Sequence, residues 1–166
     1  MTGKIWGGAS LAAFLIFVAG APMGIGQDVS DPEIQSLQAR ARKFLDALAR
    51  GDAQTAYPEL LTGSPLRAQT KAIDDLIERT RQLEGRYGKH LESEPIAPQR
   101  LGKDLALIRF LYKCEEYPVV FYFTFYRPPH RELPSDDDAW RVISVRFDSE
   151  IELLALAVQG GTGKSP

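Results

Sequence analysis

Residues 110–126 read FLYKCEEYPVVFYFTFY, and this run holds half of the sixteen aromatic side chains of the 166-residue chain. Aromatic and β-branched side chains alternate there at a period of two, which is strand-like and not helical. Phe121, Phe123 and Phe125 share one face; Tyr122, Thr124 and Tyr126 share the other. Four strands are predicted around this centre, at about 86–97, 100–113, 118–127 and 140–148. Pro95, Pro98 and Gly102 suit a kink between the first two, Cys114–Tyr117 a short hairpin turn, and Pro128–Ala139 a longer polar loop. On the last strand Trp140, Val142, Ser144 and Arg146 oppose Arg141, Ile143, Val145 and Phe147, and one β-bulge would invert that parity. Short links between consecutive strands favour an antiparallel meander. Both sheet faces are too apolar for either to be simply wet. Helices should cover one, and the other needs a partner, a ligand or a tail.

The helices come first in the chain. Ser30-Asp31-Pro32-Glu33 combines a capping side chain, an early proline and an acid facing the helix dipole. Ile34, Leu37, Ala41, Phe44, Leu45 and Leu48 follow at three- and four-residue steps, so one amphipathic helix runs until Gly51 stops it. Asp52 can cap a second, short helix through about Leu61 that buries Ala53, Ala56, Tyr57 and Leu60. Thr62-Gly63-Ser64-Pro65 is a break and a new start. A third helix is expected to run to about Glu84, with Ile73, Leu76, Ile77, Thr80 and Leu83 on one side and Gly85 as its terminator.

Residues 1–26 carry a single charge, Lys4, before the apolar run LAAFLIFVA at 11–19. A short positive start, an apolar stretch and small residues after it form the layout of a secretory signal peptide. Cleavage after Gly26 would leave residues 27–166, with 19 basic against 22 acidic side chains and a net charge of −3. The alternative is an uncleaved anchor, since residues 5–25 are about long enough to span a bilayer. Export places the protein in the periplasm or outside the cell; anchoring ties it to a membrane. One α+β domain is expected over 27–158, with Ile151–Val158 as a last helical turn or edge strand and 159–166 as a flexible tail.

Composition excludes several classes. Twenty basic and 22 acidic residues speak against a nucleic-acid binder, and 44% hydrophobic content speaks against disorder. One cysteine makes no internal disulfide, and two histidines without a Cys/His cluster leave no metal site or cofactor in view. Cys114 reads as a small half-buried side chain. The tail sequence VQGGTGKS at 158–165 lacks the first glycine of a phosphate loop. Asp136-Asp137-Asp138 reads as a solvated loop, its charge partly offset by His130 and Arg131, and not as a calcium loop. No nucleophile elbow exists, and Asp104, Glu115, Glu116 and Asp148 sit near strand ends where exposure is the default. No catalytic residue is assigned. Arg109 and Arg146 fall inside apolar strands, where each wants a carboxylate or an anionic ligand group.

FLDALARGD at 44–52, EYP at 116–118, FTFYRP at 123–128, WRV at 140–142 and RFD at 146–148 resemble segments of small exported bacterial proteins. Those proteins belong to the nuclear transport factor 2-like superfamily, and the resemblance covers roughly residues 33–155. It implies a cystatin-like α+β cone: N-terminal helices packed on a strongly bent four-stranded, or slightly larger, antiparallel sheet. It also implies homodimers formed by packing sheet on sheet. Enzymes of the superfamily use Asp, Tyr or His within the cone, but no local motif here matches theirs. The leading expectation is therefore a non-enzymatic domain that binds a small apolar or amphipathic ligand, or pairs through its sheet face. Tyr57, Tyr87, Tyr112, Trp140 and Arg146 are the candidate cavity residues. The alternatives are a cavity enzyme of isomerase or hydratase type and a membrane-anchored interaction module.

Overall fold

The computed structural model describes residues 31–129 and 140–149. Helix α1 spans Pro32–Ala49, α2 Ala53–Leu60, α3 Thr70–Arg81 and α4 Leu83–Tyr87, with a 3-10 turn at Pro65–Ala68. Strands β1 (His90–Leu101), β2 (Leu105–Cys114), β3 (Val119–Tyr126) and β4 (Arg141–Asp148) follow, paired antiparallel in the order β1-β2-β3-β4. The chain is thus α+β, helices first and a four-stranded meander after them. The expected leader at 1–26, the acidic loop at 136–138, the segment 151–158 and the tail all lie outside the described residues. Among the described residues no helix is long and apolar enough to cross a membrane.

Each helix start follows from a local side chain. The Asp31 carboxylate accepts from the Glu33 backbone N–H at 2.9 Å, and Asp52 from the Thr55 N–H at 3.3 Å. Ser64 Oγ accepts from the Leu66 N–H at 3.0 Å, which opens the 3-10 turn. These are the orphan amides that a cap satisfies. Gly51 ends α1 as expected, in a left-handed conformation at φ 79°.

The buried stripe of α1 (Ile34, Leu37, Ala41, Phe44, Leu45 and Leu48) packs on the sheet face made by Ala106, Ile108 and Phe110 of β2 and Phe121, Phe123 and Phe125 of β3. Phe44 is the wedge. Its ring meets Tyr57 edge-on at 4.9 Å, Phe123 at 5.7 Å and Phe121 at 6.3 Å between centroids. Such edge contacts align the positive rim of one ring with the negative face of the next. The other sheet face, with Leu105, Leu107, Arg109 and Leu111 of β2 and Tyr122, Thr124 and Tyr126 of β3, is half-buried.

Three expectations need correction. The third helix is broken at Gln82 into α3 and α4, and Gly85 lies inside α4 instead of ending it. The terminator is Gly88 at φ 81°, where an added Cβ would lie 2.8 Å from the Glu115 Cβ. The first strand therefore begins at His90 and not near 86, and it continues through Pro95 and Pro98 to Leu101. Those prolines are tolerated because β1 is an edge of the four described strands, and a register shift between Ile96 and Gln99 absorbs an extra residue. Last, β4 carries a bulge: Thr124 faces Ser144 but Phe125 faces Val142, so Ile143 is the extra residue. Trp140 and Val142 are consequently buried in the core, while Arg146 pairs across from Tyr122 on the opposite face.

The two glycines give a paired prediction. Gly88→Ala should cost about 1–3 kcal/mol, because it combines a positive φ with a clash against the Glu115 Cβ. Gly85→Ala meets nothing within 4 Å and should be neutral or stabilising by up to ~1 kcal/mol. Urea midpoints of the two variants check this; equal shifts would show that the helix ends elsewhere.

Candidate functional site

The five sequence candidates do not converge on one cavity. Tyr57 is fully buried and its hydroxyl lies 2.7 Å from Thr80 Oγ1. Thr80 in turn donates to the Leu76 carbonyl at 2.8 Å, so the Tyr57 hydroxyl is the donor of the pair. Burial pushes the Tyr57 phenol far above its ordinary range, against a smaller lowering by the Thr80 hydrogen bond and Arg79. That tyrosine is a neutral core hydrogen-bond donor. Tyr87 ends α4, half-buried, with its ring 6.2 Å from Tyr117. Tyr112 packs on His90 at 4.2 Å and on Phe121 at 5.5 Å. Arg146 stacks over the Tyr122 ring at 4.0 Å on the face away from the helices, and lies 3.9 Å from Asp148.

Trp140 sits at the other end of the sheet from Tyr112, only 3% exposed. The guanidinium carbon of Arg127 lies 4.9 Å from its ring centroid and that of Arg100 5.4 Å. Both arginines are held by carboxylates: Arg100 by Asp31 and Glu33, Arg127 by Glu33 and Asp104. Arg40 of α1 adds a hydrogen bond to the Trp140 carbonyl at 3.0 Å and one to the Leu60 carbonyl at 2.6 Å. The first turn of α1, the β1–β2 and β3 ends and the start of β4 are clasped around one indole. Sequence reading found Trp140 but not Arg100, Arg127 or Glu33, because nothing local announces a cluster assembled from four elements.

Burial pushes the Glu33 carboxyl up, but the hydrogen bonds and charges of Arg100 and Arg127 outweigh it and hold the group below its ordinary 4.5. A carboxylate with a lowered folded pKa stabilises the fold above its unfolded value and loses that contribution as pH falls through the folded one. Glu33→Gln should therefore be less stable than the parent at pH 7, with the gap closing below about 4.5. A gap that persists at pH 3 would assign the effect to packing. Trp140→Ala should cost about 3–5 kcal/mol. An unchanged denaturant midpoint would contradict the burial seen here.

Two clefts among the described residues bear on the candidate site. The first, a cleft of about 340 Å³, lies where the end of α1, Thr80, α4, His90 and Tyr112 meet. Burial lowers the His90 pKa below 6.5, partly offset by a backbone hydrogen bond at Glu92 and by the Asp46 charge, and its Nε2 lies 3.0 Å from Ser93 Oγ. Burial raises the Tyr112 phenol, with Cys114 and Glu84 adding to the rise. A neutral imidazole against a protonated phenol can hydrogen-bond a ligand but has no activated nucleophile beside it: burial also pushes the Cys114 thiol up, away from the reactive thiolate. Following the His90 ring protons by NMR should give a midpoint below 6.5; a midpoint above it would place the ring in solvent or beside an uncompensated acid.

The second is a groove of about 350 Å³ between α3 and β4. Leu61, Leu66, Ile73, Leu76, Ile143 and Val145 form its apolar walls, and Gln69, Asp75, Arg79 and Ser144 its polar rim. Leu66, Ile73 and Leu76 are half-buried, packed at the border of the core. The bulge at Ile143 helps to shape this wall, as bulges re-aim side chains at sheet edges. None of the five sequence candidates lines it. The only sequence signal was the apolar stripe of α3, which core packing explains equally well. Among the described residues no group of His, Cys, Asp and Glu could hold a metal ion. Compared with known proteins, the chain matches no family model, no curated protein and no solved structure.

Proposed function

We propose that the chain is an exported, non-enzymatic α+β cone of the nuclear transport factor 2-like type that binds a small apolar or amphipathic ligand in the groove between α3 and β4. The observation that carries this reading is the groove itself. Three neighbouring aliphatic side chains, Leu66, Ile73 and Leu76, are left incompletely covered beside β4, with polar groups confined to the rim. That combination of apolar wall and few polar groups, at a volume of a few hundred Å³, is what small-molecule sites look like. The order of helices and meander, with helices on one sheet face, supports the cone assignment. The leader-like residues 1–26 support export. The enzyme reading draws less support, because the deepest phenol, Tyr57, is committed to Thr80 and the cleft at Tyr112 lacks an activated nucleophile.

A second reading has its own observation. The sheet face away from the helices presents Leu105, Leu107, Leu111, Tyr122 and Tyr126 together, a surface suited to a second copy of the chain.

The groove reading is tested by titrating the protein with decanol and following backbone amide shifts. Signals of Ile73, Leu76 and Val145 should move, and those of Gly88 and His90 should stay. Ala72, exposed on α3 and bordering the groove, offers the control: Ala72→Trp should fill the site and abolish the shifts while leaving the fold intact. Shifts confined to the sheet face, or unaffected by Ala72→Trp, would overturn the assignment.

A further inference from the structure

The groove has a charged end, and its chemistry narrows the ligand. Arg79 borders the groove from α3, its guanidinium carbon 5.1 Å from the ring centroid of Phe147. Phe147 is itself packed on Phe121 at 5.1 Å, so the ring that carries the guanidinium is anchored in the core. Among the described residues no carboxylate lies within ion-pair distance of Arg79, whereas Arg100 and Arg127 are each held by two. Stacking on an aromatic face leaves the edge donors of a guanidinium available, and that planar fork matches a carboxylate. Ser144 and Gln69 add neutral hydrogen-bonding groups on the same rim.

Among the described residues Asp75 is the one acid on the rim, a helical turn before Arg79. It also borders the shallow outer depression at Ala68–Ala72, together with Lys71. Asp75 is exposed, so solvent screens its charge.

From this arrangement we infer that the groove takes an anionic amphiphile, with its aliphatic body along Leu66, Ile73 and Leu76 and its carboxylate or similar anionic head on the Arg79 guanidinium. This inference rests on the groove being a binding site, as proposed above. It adds a preference of sign that an apolar groove alone would not have.

Calorimetric titration of the full protein with decanoate, decanol and decyltrimethylammonium, each below its micellar concentration, separates the two claims. Decanoate should bind about tenfold more tightly than decanol, and the cation weakest. Arg79→Gln should weaken decanoate about tenfold more than it weakens decanol, so that the decanoate advantage disappears. Asp75→Asn should tighten decanoate severalfold at low salt, by removing that acid from the rim. Equal binding of decanoate and decanol, insensitive to Arg79→Gln, would overturn the charge preference and leave the groove reading standing. Binding by none of the three, or binding that Ala72→Trp does not block, would overturn both.

Discussion

The rest of the molecule depends on the contact of Phe44 with the ring row of β3. One side chain of α1 touches Tyr57, Phe121 and Phe123 at once, joining two helices to the middle of the sheet. With Phe110 and Phe125 also fully buried, this packing fills the space between helices and sheet. Rings occupy the centre of the layer between the described helices and the sheet. The two clefts described above lie at its periphery, and both have polar rims. The functional reading follows from that displacement: Tyr57, which looks like cavity lining in the sequence, is core, and the groove sits where α3 passes β4.

A second constraint closes the other end. Glu33, in the first turn of α1, meets two guanidiniums that flank Trp140, while Arg40 ties the Trp140 carbonyl to the end of α2. Individual exposed ion pairs contribute little, but here they share partners and enclose a buried indole, which makes the geometry mutually dependent. Because this clasp fixes the start of β4, it also fixes where the bulge at Ile143 falls. The bulge lets Trp140 and Val142 face the core while Val145, three residues after Val142, and then Phe147 return to it. Without it, a strict two-residue alternation would send one of those pairs to the outer face.

Much of the architecture was legible in residue order. Asp31, Asp52 and Gly51 bound α1 and α2 through local hydrogen bonds and backbone freedom, and such signals involve few neighbours. The alternation of Phe121, Phe123 and Phe125 predicts a buried face because its period is intrinsic to a strand. Gly85 and Gly88 could not be told apart by the same logic: both are glycines near an apolar stripe, and only the close approach of Glu115, far along the chain, decides between them. Pro95 and Pro98 read as a kink because an edge position is a property of the whole sheet. The candidate site was least legible. Tyr57, Tyr112 and Trp140 advertise themselves by size, whereas Arg79 and Leu76 become interesting only when Ile143–Val145 is brought against them.

The central claim is the proposal that this chain carries a small amphipathic molecule in the groove between α3 and β4. Native mass spectrometry of the protein, purified gently from its own host, addresses that claim most directly. The account predicts a stoichiometric small adduct that is lost on collisional activation. A dimer of unadorned chains would contradict it, and would give the outer sheet face, not the groove, the functional role.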